Sequence, residues 1–278
     1  MSLNKSYWLF SRYNAFVGFI LIILLLIMAV VGAIYTPYDP LKLDFHARLQ
    51  SPSLSHFFGT DQLGRDVFSR ILSATSVTAT ISILTVLFAS TLGTVIGAIS
   101  GYIGGRLDRI IMILMDALLA FPGILLALGI MAVIGPNKYG IVVALGLSYL
   151  PGVVRVIRGT VFSIKEKEYI EASVVTGNSE IYTILRHIIP NCFTPLTVIS
   201  SAMLGGVLLS ESALSFLGLG VPPPAPTWGG MLADGRQFMD IAPWLSIFPG
   251  MAISFALLGI NLFGDALRDK LDPRMNQL

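Results

Sequence analysis

Apolar residues run along this chain in long, nearly unbroken blocks separated by polar segments, and block length is the first feature to explain. An α-helix rises about 1.5 Å per residue, so about 20 mostly apolar residues cross the roughly 30 Å hydrocarbon core of a bilayer. Such a segment has to be helical, because no water is present there to pair its backbone N–H and C=O groups. Six blocks meet this demand, and the pattern predicts spans over residues 15–35, 77–100, 110–134, 139–157, 193–217 and 244–263. The first follows Lys5 and Arg12, as a signal peptide would. Its apolar run exceeds the roughly 7 to 15 residues of such a segment, so an uncleaved first helix is expected.

Three polar intervals, 36–76, 158–191 and 218–243, are too long to be simple connectors. Within 163–190 the order of residues predicts two short amphipathic helices. Ile170, Val174 and Val175 can share a stripe on the first, and Ile181, Leu185 and Ile188 on the second. Gly177 suits a left-handed turn between them, Asn178 or Ser179 can cap the second, and Pro190 is expected to close it. By pattern alone the pair can lie on lipid headgroups or form a knob that enters a soluble partner.

Composition agrees with a membrane protein. The chain is 54% hydrophobic and 12% charged, whereas a soluble domain carries roughly 25% charged residues. The formal charge of +2 is small and scattered between apolar blocks, which argues against nucleic acid as a partner. Loops rich in Lys and Arg stay on the cytoplasmic side. With both termini inside, twelve of the 18 such residues fall inside and six outside, so both termini are expected to be cytoplasmic. The lone Cys192 lies in an apolar setting and reads as an inert packing residue. His46, His56 and His187 are too dispersed for a metal centre, and no G-x-S-x-G or H-E-x-x-H motif occurs. No catalytic and no metal site is therefore expected in this chain.

Single polar, glycine and proline positions add detail. Asp116 and Glu211 fall within spans, where charge is costly, and are expected to face a pore, a partner helix or the interface; Asp116 is expected beside a basic group or on the substrate path, and Glu211 at the outer headgroups, hydrogen-bonded to a neighbouring helix, or at a gate or subunit contact. Gly93, Gly97 and Gly101 share a face that permits close helix approach. Pro122 and Pro151 are expected to bend the third and fourth spans. Residues 221–228 form a proline-stiffened loop with Trp228 expected to be exposed.

Glu171, Ala172, Ser173 and Gly177, followed by Ile188, Ile189 and Pro190, resemble the EAA loop of binding-protein-dependent ABC importer permeases. Its pattern is E-A-A-x-x-x-G, nine residues, then I-x-L-P; here Ser173 replaces the second alanine and His187 stands at the isoleucine position. Further runs resemble the dipeptide, oligopeptide and nickel branch, and its C-type subunit in particular: F-G-T-D-Q-L-G-R-D from Phe58, S-F-L-G-L-G from Ser215, P-T-W-G from Pro226, N-L-F-G-D-A-L-R-D from Asn261, and L-D-P-R from Leu271.

The resemblance implies an all-α membrane protein with six transmembrane helices and the type I ABC importer transmembrane domain. It also implies an organisation of 1–76 as first helix and extracytoplasmic segment, 77–265 as transport unit with its EAA loop at 163–190, and 266–278 as cytoplasmic tail. The implied partners are a homologous permease, two ATP-binding cassette subunits, an extracytoplasmic solute-binding protein and membrane lipid, in a bacterial cytoplasmic membrane. Glu171, Ala172, Ser173, Gly177 and Pro190 would meet the ATPase, while Pro222, Pro223, Pro224 and Trp228 could meet the binding protein. The chain has no G-x-x-x-x-G-K-[ST] loop, so ATP and Mg are expected on the partner ATPases, with no cofactor in this chain. The expected cargo is a di- or oligopeptide, with nickel or another small solute such as glutathione as the alternative. An ion-coupled secondary transporter is the alternative of a different class.

Overall fold

The computed structural model describes residues 13–271. Lys5, Arg12 and the Asp272-Pro273-Arg274 part of the last signature lie outside them. Among the described residues seven longer helices build the bundle: α1 Tyr13–Ile34, α2 Val67–Ile103, α3 Gly105–Leu119, α4 Gly123–Ile134, α5 Lys138–Lys165, then α8 Phe193–Phe216 and α10 Trp244–Leu271. Between α5 and α8 lies an elbow of two short helices, α6 Glu168–Val175 and α7 Glu180–Thr183. A further short helix, α9 Trp228–Gly235, sits at the opposite end, the cap.

The expected spans are present, with three departures. Helix α2 has 37 residues and begins ten positions earlier than its apolar block. Asp66 caps it by accepting from the Ser69 N–H, and tertiary contacts bury the polar Ser69 and Arg70 of its first turn. The expected boundary at 76/77 consequently falls inside α2, just as that at 265/266 falls inside α10. The third block is not one bent helix but two, α3 and α4, inclined at 89°. Pro122 is extended at φ −54°, ψ 129° and has no N–H to continue the ladder. With 15 and 12 residues, the halves are about 22 and 18 Å long, each too short to cross alone. Five helices are long and apolar enough to span a membrane among the described residues, six if this pair is one broken span. Pro151, by contrast, lies inside a continuous α5.

The most extensive helix pairing joins α2 to α5 through the small-residue face. A Cβ on Gly97 would lie 2.8 Å from the Val154 carbonyl oxygen, and one on Gly93 would lie 2.7 Å from Val153. These glycines therefore serve backbone approach, which stabilises helix pairs where lipid supplies no hydrophobic drive. Helix α1 lies along α10 and α2; a Cβ on Gly32 would sit 1.9 Å from the Leu72 carbonyl oxygen. The rest of α1 is an apolar surface, with Ile20, Leu24, Ile27 and Val30 exposed.

Candidate partner-docking surfaces and translocation clefts

The elbow forms as its local signals dictate. The Gly177 N–H donates to the Val174 carbonyl and the Asn178 N–H to that of Ser173. This is the Schellman pattern, in which Gly177 takes the left-handed φ of +81°. Ser179, not Asn178, caps α7 by accepting from the Tyr182 N–H at 3.2 Å. Pro190 does not end that helix. The chain passes through a π-helical turn, Ile184–Ile188, into Ile189–Asn191 and on to α8. The wider turn makes room for a proline ring that would otherwise press on the carbonyl four residues back. Cys192 at the junction is buried, and burial pushes its thiol up to about 11, which suits an inert packing residue.

The expected stripes on the elbow are split between interior and surface. Ile170 and Ile188 are buried and anchor the elbow to the bundle, whereas Val175 is 80% exposed, Ile181 is 71% exposed, and Val174 and Leu185 also face outward. Of the residues expected to dock, Glu171, Ala172, Gly177 and Pro190 are exposed and Ser173 is buried. The Ser173 and Thr183 hydroxyls lie 3.1 Å apart, and Asn178 Nδ2 donates to Ser173 at 3.2 Å. Ser173 thus ties α6 to α7 instead of offering a contact. A serine in place of the second alanine gains a hydrogen bond here, which small size alone did not suggest.

Between the elbow end of α8 and α10 lies a cleft of about 530 Å³ whose wall includes Thr194, Ser201, Asn261, Asp265 and Arg268. The Asn261-to-Asp269 signature, which carried no assigned role in the sequence, supplies three of these polar groups. Two ion pairs tie α3 to α5 nearby. Asp108 takes a two-pronged contact from Arg158, with Nη2 to Oδ2 at 2.7 Å, and a hydrogen bond from Ser100 at 2.6 Å. Asp116 meets Arg155 at 2.5 Å, both half-exposed. Asp116 therefore has the basic neighbour that a charge within a span requires.

Glu211 is 0% exposed and does not reach a headgroup region. One of its oxygens accepts from Ser215 at 2.8 Å, while the other, like the nearby hydroxyls of Thr78, Ser82 and Ser212, has no hydrogen-bond partner among the described residues. Trp228 is likewise buried, at 1% exposure, contrary to the exposed aromatic expected of it. Its Nε1–H donates to the Ile71 carbonyl at 3.4 Å. Gly229 beside it approaches so closely that a Cβ would lie 2.0 Å from the Ser212 carbonyl oxygen. The P-T-W-G run is thus a packing device between α9, α2 and α8. Pro222, Pro223 and Pro224 remain exposed.

The F-G-T-D-Q-L-G-R-D run builds the cap around Asp61. This carboxylate accepts from the backbone N–H groups of Leu63 and Arg65, binds Arg65 Nε at 2.6 Å and lies 3.5 Å from Arg70 Nε. Gly64 turns the chain at φ +76°, where a Cβ would collide with the Asp44 carbonyl oxygen at 1.7 Å. Asp66 accepts from Ser69 and stands 2.9 Å from His56 Nδ1, and Trp244 Nε1 donates to the Thr60 carbonyl at 3.2 Å.

A bundle of membrane-length helices, one span broken at a proline, with a folded cap at one end and an exposed elbow at the other, defines a helical membrane-transport domain. The chain belongs to the family described as the binding-protein-dependent transport system inner membrane component, whose model matches residues 93–277. It is a permease subunit of an ABC importer and a multi-pass protein of the inner membrane. It is 40% identical over 261 residues to the dipeptide transport system permease protein DppC of Alkalihalophilus pseudofirmus, covering 94% of this chain and 86% of that one. To the glutathione transport system permease protein GsiD of Pectobacterium atrosepticum it is 42% identical over 240 residues, covering 86% and 80%. A solved inward-facing structure of the MetNI methionine ABC transporter superposes with a TM-score of 0.58 at 15% identity, covering 73% of this chain and 96% of that one. At that identity the likeness concerns the fold alone.

Proposed function

We propose that this chain carries di- or oligopeptides across the cytoplasmic membrane, driven by ATP hydrolysed on partner subunits. It does so as one half of a pore shared with a homologous permease, with 77–265 as the transport unit. The observation that carries the reading is the outward-facing apolar set Val174, Val175, Ile181 and Leu185 on the elbow. Exposed apolar side chains on a polar connection mark a protein-contact surface. Glu171, Ala172, Gly177 and Pro190 frame this surface, and two ATPase subunits, holding ATP and Mg, would take it up, one beneath each permease. Ser173 shapes the knob from within. Both termini are cytoplasmic in this arrangement, and Pro222, Pro223 and Pro224 face an extracytoplasmic solute-binding protein. Peptide cargo is supported by the relatives, which are dipeptide and glutathione permeases, since glutathione is itself a small peptide.

The test is reconstitution of the complete importer with labelled dialanine and a Glu171→Ala, Ile181→Asp double variant. Co-purification of the ATPases and uptake should both fall sharply, with membrane insertion unchanged. Full uptake by the variant would refute the docking assignment. Uptake that survives in wild type without ATP would instead favour ion coupling.

A further inference from the structure

A pocket of about 440 Å³ lies beneath the proline loop at the cap, walled by the 62–70 turn, the end of α8, residues 218–227 and α9. Its volume falls in the roughly 300–1,000 Å³ range of small-molecule sites. Three charged side chains line it, Arg65, Arg70 and Asp234, and of these Arg70 is committed to Asp61 at 3.5 Å and to the Pro40 carbonyl at 3.2 Å. Arg65 is buried and held by Asp61 through Nε at 2.6 Å, yet its two terminal nitrogens have no hydrogen-bond partner among the described residues. Asp234, on the facing helix α9, makes no hydrogen bond or ion pair there either and is exposed. The rest of the wall mixes the apolar or rigid Val221, Pro222 and Met231 with the polar Gln62, Ser215 and Thr227.

We propose that this pocket holds a small zwitterionic peptide, with Arg65 as the partner of its terminal carboxylate and Asp234 as the partner of its terminal ammonium. The guanidinium is fixed by Asp61 and the Gly64 turn, so little rotamer freedom is lost when a carboxylate meets its free edge. A purely acidic group, such as a side chain of a docking protein, would meet Arg65 but be opposed by Asp234; a metal cation would meet Asp234 but be opposed by Arg65 and Arg70, while Arg70 itself is balanced by Asp61. A zwitterion satisfies both. The inference rests on the peptide reading above.

The test uses the assembled permease pair with its ATPases in lipid nanodiscs, without the binding protein, and calorimetric titration with dialanine, N-acetyl-dialanine and dialanine amide at millimolar concentration. Dialanine is expected to bind, and each blocked form to bind roughly tenfold more weakly, as loss of one charge-assisted contact implies. Asp234→Asn, an exposed substitution that leaves the hydrogen bonds of Asp61 in place, should remove discrimination against N-acetylation and keep that against the amide. Arg65→Lys should do the reverse. No binding of dialanine, or unchanged discrimination in Asp234→Asn, overturns the pocket even where the complete importer takes up dialanine normally, and then the importer reading stands. Failure of the complete wild-type importer to take up any di- or tripeptide overturns both.

Discussion

The cap and the elbow are both polar connections between apolar helices, and they dispose of their polarity in opposite ways. At the cap Asp61, Arg65, Asp66 and Arg70 are all buried, and they are tied to one another and to backbone groups. At the elbow the charged residues Glu168, Glu171 and Arg186 stay outside, and several apolar residues join them there. Burying a charge requires a partner, because the lost hydration has to be replaced. The cap supplies the partners of these four charges from within the chain. The elbow presents a surface that gains by meeting something else. On the proposed function the cap is a rigid mount for the ends of the helices and the elbow a handle through which a partner moves them.

The largest expected effect breaks the cap. Asp61→Ala leaves Arg65 and Arg70 buried without their shared carboxylate, and such a loss costs about 3–5 kcal/mol. The detergent-solubilised chain should melt far earlier or vanish from the membrane fraction; an unchanged melting temperature would contradict the network. Second comes Gly177→Pro, which cannot take a φ of +81° because the ring holds φ near about −65°. Uptake should be nearly abolished with the cap intact, so the melting temperature should stay close to wild type. Equal losses of stability in both variants would erase the distinction between the two regions.

Smaller changes sharpen it. Ser173→Ala removes a buried hydrogen bond inside the elbow and should cost about 1 kcal/mol, with Thr183→Val adding little more in a double-mutant cycle read by thermal melting. A fully additive cycle would mean the two hydroxyls do not interact. Smallest is Arg155→Ala, whose exposed pair with Asp116 contributes at most about 1 kcal/mol. A large drop in melting temperature would show that this pair is shielded in the assembled membrane protein.

Much of the framework was legible in the residue order. The apolar blocks locate α1, α5, α8 and α10 to within a few residues at their starting ends, and the Schellman turn at Gly177 was readable because its signals lie within six positions. The small-residue face of α2 was readable for the same reason. Less legible were residues whose roles depend on distant neighbours. Trp228 reads as a loop aromatic until Ile71, 157 positions away, supplies its carbonyl. Ser173 reads as a tolerated departure until Thr183 is packed against it. The polar start of α2 reads as loop until Asp61 neutralises Arg70.

The sequence by itself determined the membrane class, the positions of the spans and the capped elbow, because helix length, periodicity and capping are properties of contiguous residues. Only the tertiary structure decided that the third block breaks through 89°, that the cap closes around Asp61, and which apolar residues of the elbow turn outward. Those outcomes depend on which groups from separate parts of the chain come within hydrogen-bond or van der Waals reach, and local spacing carries no record of that.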